Sequence, residues 1–177
     1  MFDGSTLDYD ANVALTAELA AYCHERGVGI EAELGEVGGK DGVHAPGVRT
    51  DPTEAAEFVA ATGVDALAVA VGSSHAMTSR DAKLDLELIA AIRQAVPVPL
   101  VLHGSSGVAD ENLTKAVEAG MTKVNISTHL NHAFTDTVRE VLAANPEMVD
   151  TRKYLGAGRE AVRAEVARLL GVLLAAN

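Results

Sequence analysis

The chain has 177 residues, the size of one domain, with 48% hydrophobic and 22% charged residues, 16 Gly and 5 Pro. That composition excludes disorder, collagen-like repeats and coiled coil, and with aromatics at 3% and Trp at zero any core is built from Ala, Val and Leu. Fourteen Lys and Arg against 25 Asp and Glu leave a net charge of −11, which argues against nucleic-acid binding, since that depends on cationic side chains neutralising phosphates.

One cysteine, Cys23, makes neither an internal disulfide nor a Cys-rich metal site and reads as a small apolar residue on a helix. Met1 runs straight into Phe2-Asp3-Gly4-Ser5 without a basic or apolar leader, and no apolar run approaches the ~18 residues of a membrane span. A cytoplasmic protein without membrane contact is expected.

In chain order, Met1-Phe2-Asp3 reads as the end of a strand. A helix is predicted over Asp10 to Arg26, with Val13, Leu15, Leu19 and Tyr22 as its apolar stripe and Gly27 as its stop. Val28 to Leu34 reads as a strand and Gly35 to Thr50, with five glycines and a proline, as a long loop. Asp51-Pro52 opens a helix that closes at Thr62-Gly63. Asp65 to Val71 is nearly all apolar, as in a strand covered on both faces; a loop to Arg80 and a helix over Asp81 to Ala95 follow. Val98 to His103 is a strand, with Pro99 near its start, and Gly104 to Val108 a Gly/Ser turn. A helix over Asp110 to Ala119, a strand over Thr122 to Ile126, and helices from His129 to Ala144 and from Gly158 to Ala175 complete the chain. Five strands alternating with helices define a single parallel α/β domain over residues 1–177. Read without any resemblance, five strands favour an open, doubly wound sheet over a closed (β/α)8 barrel, which takes eight strands and ~250 residues.

Parallel α/β folds place their sites at the carboxyl ends of the strands. There the sequence puts Asp3, Glu33, His75, His103 and Asn125, one polar group per strand. Two imidazoles with carboxylates suit Zn²⁺ and similar ions, and a catalytic zinc wants three protein ligands and one open position. His44 is a possible third nitrogen but stands in the glycine-rich loop; His24, His129 and His132 read as surface or capping residues. Gly104-Ser105-Ser106-Gly107, followed by a helix, is a candidate phosphate cradle, because small residues let backbone N–H groups approach an anion near a helix N-terminus. Asn125-Ile126-Ser127-Thr128 repeats that arrangement one strand later.

Glu31-Ala32-Glu33-Leu34-Gly35, Val37-Gly38-Gly39, Leu100 to Gly107, Lys123 to Thr128 and Asp150 to Leu155 together resemble the motifs of the class II, metal-dependent ketose-bisphosphate aldolases, fructose- and tagatose-bisphosphate aldolases above all. The resemblance implies a (β/α)8 TIM barrel, here incomplete, with about strands 4–8 present, and it displaces the open-sheet reading. It implies zinc as cofactor, with His75 and His103 as ligands and Glu33 and Asp3 at an alternative, deeper metal position. It implies Ala76, Gly104, Ser105, Ser106, Asn125, Ile126, Ser127 and Thr128 as binding residues for dihydroxyacetone phosphate, and a reversible aldol cleavage of a ketose 1,6-bisphosphate to dihydroxyacetone phosphate and glyceraldehyde 3-phosphate. A dimer or tetramer is expected by the same resemblance, with a phosphorylated sugar as partner.

The sequence departs from the family pattern in three places. The Asp-His pair carrying the third zinc ligand and the proton donor would precede Met1, so weak or no turnover is expected of this chain alone. After Gly39 stands Lys40-Asp41, leaving only Asp41 for the acidic catalytic role of that loop, and Ala76 takes the place of a glycine. The alternatives are a non-catalytic accessory subunit completing its barrel with a partner chain, and a metal-dependent sugar isomerase or epimerase.

Overall fold

The computed structural model describes residues 1–37, 49–75 and 79–175. Four strands, β1 (Glu31–Leu34), β2 (Ala66–Val69), β3 (Leu100–Leu102) and β4 (Met121–Val124), pair in parallel in the order β1-β2-β3-β4. Phe2 adds a parallel bridge to Ala32 on the outer side of β1. The strand expected at Met1-Phe2-Asp3 is therefore present as one pair only.

The helices α1 (Tyr9–His24), α2 (Pro52–Thr62), α3 (Leu86–Ala95), α4 (Asp110–Ala119), α5 (Thr128–Ala144) and α6 (Thr151–Leu174) alternate with the strands. Helices α1 to α4 pack each on the next, and α6 on α4 and α5. A doubly wound sheet reverses its strand order at a switch point. This sheet never reverses, so the open-sheet reading is corrected: the fold is part of a (β/α)8 barrel, with strands wound in one direction inside a belt of helices.

Local sequence explains where the helices start. Asp8, Asp51, Asp85 and Asp150 each accept a backbone N–H from the first turn that follows, so part of the negative charge is spent on helix caps. Pro52 stands in the first turn of α2 and Gly63 ends it at φ +68°. Three expectations need correction. The helix expected from Asp81 begins at Leu86, after its cap Asp85. The apolar stripe on α1 is only half right: Val13 and Leu19 reach the core, but Leu15 and Tyr22 are exposed and the buried row is Asn12, Thr16, Ala20. The reason is a polar task, since Asn12 Nδ2 donates to the Glu33 carbonyl (3.1 Å). The last helix begins at Thr151, not Gly158. Gly158 is no breaker: a Cβ there would stand 2.8 Å from the Phe134 ring, so the glycine allows α5 and α6 to approach closely.

The sheet has two chemically different faces. Ala32, Leu34, Leu67, Val69, Leu100 and Leu102 join the core under the helices. In the parallel register Glu31 pairs with Ala66, Glu33 with Ala68, Ala68 with Val101, and Val101 with Lys123. Since alternate residues share a face, Glu31, Glu33, Ala68, Val101 and Lys123 lie together on the concave side. The sheet curls strongly: Lys123 Nζ is 2.6 Å from Glu31 Oε2, although β1 and β4 are three strand spacings apart, roughly 14 Å along a flat sheet.

Outside the belt, Asp110 at the start of α4 meets Arg168 of α6 and Arg80 of the β2–α3 segment, and Arg168 also holds Glu165, which pairs with His129. Burial pushes the Asp110 carboxyl up, but the two guanidinium groups outweigh it and hold the pKa below the usual carboxylate value. A depressed carboxylate contributes stability above its unfolded pKa, about 3.9, and loses it as pH falls through the folded value. Asp110→Asn should therefore lower the unfolding temperature at pH 7 by about 2–4 °C, and thermal melts should show that difference closing below about pH 4.

Candidate metal and phosphate site

Each candidate ligand stands just past, or at, the carboxyl end of its strand. Glu33 is the third residue of β1; His75 follows β2 by a short loop; His103 follows β3 directly. Glu33 and His103 are buried. One oxygen or ring nitrogen from each of Glu33, His75 and His103 lies within 4.8 Å of the others, and the two rings are 6.0 Å apart between centroids.

Gly104 makes that convergence possible. Its φ is +65°, and a Cβ there would lie 2.4 Å from the Ser74 carbonyl carbon and 2.9 Å from the His75 backbone nitrogen. A side chain would push the β3 turn off the β2 loop and draw the two histidines apart. Thr50 ties the neighbouring strand ends together, accepting the Ala70 N–H (2.8 Å) while donating to the Leu34 carbonyl (2.6 Å).

His103 is held on both sides. Nδ1 is 2.8 Å from Glu33 Oε2 and Nε2 is 2.9 Å from Glu31 Oε1. Burial disfavours the charged ring, but the hydrogen bonds to Glu33 and Glu31 outweigh it and raise the pKa above the usual histidine value. A cation binding at Nδ1 displaces a proton, so the two compete for one place. The donor set fits a metal: two imidazoles and a carboxylate are a ligand set of catalytic zinc sites, with room for an open position.

Asp3 does not join that cluster. Ser5 Oγ lies between Asp3 and Glu33, 2.7 Å from Asp3 Oδ1, to which it donates, and 3.2 Å from Glu33 Oε1. Asp3 still lines the same cavity of about 270 Å³, together with Glu33, His75 and His103.

The other wall of the cavity carries Gly104, Ser106, Asn125, Ser127 and Thr128, five of the residues expected to bind substrate. Ser106 Oγ accepts the His129 N–H (3.3 Å), fixing the turn after β3 to the first turn of α5. Ser105 and Ile126 are not brought there. Ser105 is buried and its hydroxyl donates to the Asn125 carbonyl, whereas Ile126 faces α6 beside Leu130 and Leu169. Neither is among the residues that line the cavity. Asp41, Ala76 and His44 lie outside the described residues. His24 pairs with Asp65 (2.9 Å) at the end of α1, His129 with Glu165 (2.7 Å), and His132 with Asp136 (3.6 Å); none of the three faces the cavity.

Sequence reasoning passed over Glu31, Lys123 and Ser5. The alternation Glu31-Ala32-Glu33 already places two carboxylates on one strand face, which was the available signal for Glu31; the pairing with Lys123 is non-local and had none.

A Glu/His/His cluster with the spacing of metal ligands lines one cavity with small and hydroxyl-bearing residues, at the carboxyl ends of parallel strands wound in barrel order, where (β/α)8 scaffolds place their sites. A model of the class II fructose-bisphosphate aldolase family matches residues 1–177. The chain belongs to that family. It is similar to the YdjI aldolase of Escherichia coli K12 (35% identity, TM-score 0.79, 98% of this chain and 58% of that one). It is similar also to a putative fructose-1,6-bisphosphate aldolase of Coccidioides immitis (34%, 0.83, 98% and 61%). A fructose-bisphosphate aldolase of Campylobacter jejuni matches at 25% identity and TM-score 0.79, over 97% of this chain and 59% of that one. The chain thus spans about three fifths of the length of these structures.

Gly104→Ala should destabilise the chain by about 1–3 kcal/mol, the cost of forcing a side chain into a positive-φ position, and weaken cation binding with it. Unfolding curves combined with a Zn²⁺ titration check both effects; unchanged binding would separate the metal site from the His75–His103 approach.

Proposed function

We propose that this site serves the reversible aldol cleavage of a ketose 1,6-bisphosphate, fructose or tagatose, to dihydroxyacetone phosphate and glyceraldehyde 3-phosphate, with Zn²⁺ as the cofactor. The observation that carries the reading is the single cavity in which the Glu33–His75–His103 cluster faces the Gly104/Ser106 and Ser127/Thr128 cradle. Glu33, His75 and His103 would hold the ion. When bound, such an ion acts as a Lewis acid toward the ketose oxygens.

The remaining work falls to the chain itself. Backbone N–H groups of the turn after β3 and the N-terminal end of α5 favour a phosphate by dipole and hydrogen bonding. The Asn125, Ser106 and Ser127 side chains supply uncharged donors and acceptors that orient the three-carbon unit without a Lys or Arg. Asp41 is the carboxylate we assign, by resemblance, to proton handling. The family's Asp-His pair is not among these 177 residues, so turnover by this chain alone should be weak. A dimer or tetramer in the cytoplasm is part of the same proposal; among the described residues, no helix is long and apolar enough to cross a membrane.

The test offers both bisphosphate epimers to the Zn²⁺-loaded chain and follows the products by ³¹P NMR, alongside titration with dihydroxyacetone phosphate. The proposal expects metal-dependent binding of the triose phosphate, with slow appearance of triose phosphates from the hexose, both removed by a chelator and by His103→Ala. Conversion of one hexose bisphosphate into the other, without cleavage, would establish an epimerase instead. Triose phosphate binding that ignores chelator and His103→Ala overturns the metal-dependent reading.

A further inference from the structure

The usefulness of His103 as a ligand depends on which ring nitrogen faces Glu33 and His75, and a residue outside that cluster decides this. We propose that Glu31, itself held by Lys123, is the positioning residue for His103: it accepts the Nε2 proton and so presents Nδ1 to the metal position. This inference rests on the metal-site reading above.

Both oxygens of Glu31 are committed. Oε1 is 2.9 Å from His103 Nε2, and Oε2 is 2.6 Å from Lys123 Nζ. The Glu31 side chain is only 10% exposed, against 52% for Lys123, so the carboxylate is the buried member and the ammonium reaches it from the rim. Ala66 and Ala68, its neighbours on the concave face of β2, are small enough to let Glu31 and Glu33 lie across the sheet toward His103. The two carboxylates therefore grip opposite edges of one imidazole. Turning the ring over would put Cδ2 and Cε1 where Nδ1 and Nε2 stand and break both hydrogen bonds, and the two grips differ: Glu33 is itself a candidate ligand, while Glu31 is paired with Lys123 and is not in the cluster.

A purely structural role explains this poorly. The inner layers of parallel barrels are filled mostly by branched apolar side chains, and a buried ion pair is weak evidence for stability, because desolvation offsets the attraction. Orientation of a ligand is the use for which such a carboxylate is suited: a metal-binding histidine commonly donates its second N–H to a carboxylate, and losing that partner weakens metal binding about 10–100-fold.

The experiment titrates the full 177-residue chain with Co²⁺, read by its visible d–d bands, and with Zn²⁺ in competition with a chromophoric chelator. It compares wild type with Glu31→Gln, Lys123→Met and the double variant, recording metal-free unfolding temperatures in parallel. The proposal expects Glu31→Gln to weaken both ions about 10–100-fold and to alter the Co²⁺ band shape. Lys123→Met should give a smaller loss of the same sign, and the double variant should be no worse than Glu31→Gln. Lowered unfolding temperatures with unaltered affinity in either variant would show a strut between β1 and β4 and overturn the proposal. If Glu31→Gln does not fold, Lys123→Met decides by its affinity alone. If the wild type takes up neither ion, the metal-site reading itself falls and takes this inference with it, an outcome distinct from equal binding by wild type and variants.

Discussion

Everything at the strand ends depends on one imidazole gripped by two carboxylates. His103 reaches Glu33 and Glu31 across β2, which a flat sheet would not allow. The curl of the sheet, the two alanines on the concave face of β2 and the close approach of Gly104 to Ser74 are the conditions for that contact. The concave face carries Glu31, Glu33 and Lys123 among Ala66, Ala68 and Val101, whereas Ala32, Leu34, Leu67, Val69, Leu100 and Leu102 join the core under the helices. The division follows from period-two alternation along strands only three or four residues long.

The two halves of the site are built by different means. The half we assign to metal sets a buried imidazole, His103, between the carboxylates of Glu33 and Glu31, an arrangement whose burial is costly unless its charges are paired. The wall we assign to phosphate is Gly104, Ser106, Asn125, Ser127 and Thr128, uncharged among the described residues, and the Ser105 hydroxyl behind it is bonded to the Asn125 carbonyl. Behind both halves, the Asp110–Arg168–Glu165–His129 chain of contacts ties α4, α5 and α6 together. The first turn of α5, which walls the cavity, is anchored through its second residue, His129.

What could be read in the sequence was what local chemistry decides. The Asp51-Pro52 start and Gly63 stop of α2, and the span of α4 from Asp110 to Ala119, lie where the residues put them, because caps and breakers act within one turn. The start of α6 was missed because Gly156 and Gly158 look like breakers when the Phe134 contact that calls for a small residue is invisible. Asn12 and Thr16 were missed as the buried face of α1 because their partners lie on β1 and on α1 itself, and hydrophobicity alone favoured Leu15 and Tyr22. The order of the strands was not readable from their number, and five apolar runs by themselves favour the open sheet that the observed order overturns. At the site, the residue types at the strand ends drew attention to Glu33, His75 and His103, which the fold brings together; that Asp3 lies outside that cluster and that Ser105 and Ile126 do not line the cavity depends on packing that the sequence does not show.

The central claim is that Glu33, His75 and His103 hold a divalent cation facing the phosphate cradle. X-ray absorption at the zinc K-edge on the Zn²⁺-loaded chain tests it most directly. The account predicts two imidazole nitrogens at about 2.0–2.1 Å and oxygen donors at about 2.0–2.2 Å, with one imidazole lost in His75→Ala and one in His103→Ala. A zinc shell without imidazole, or one that neither substitution changes, would contradict it.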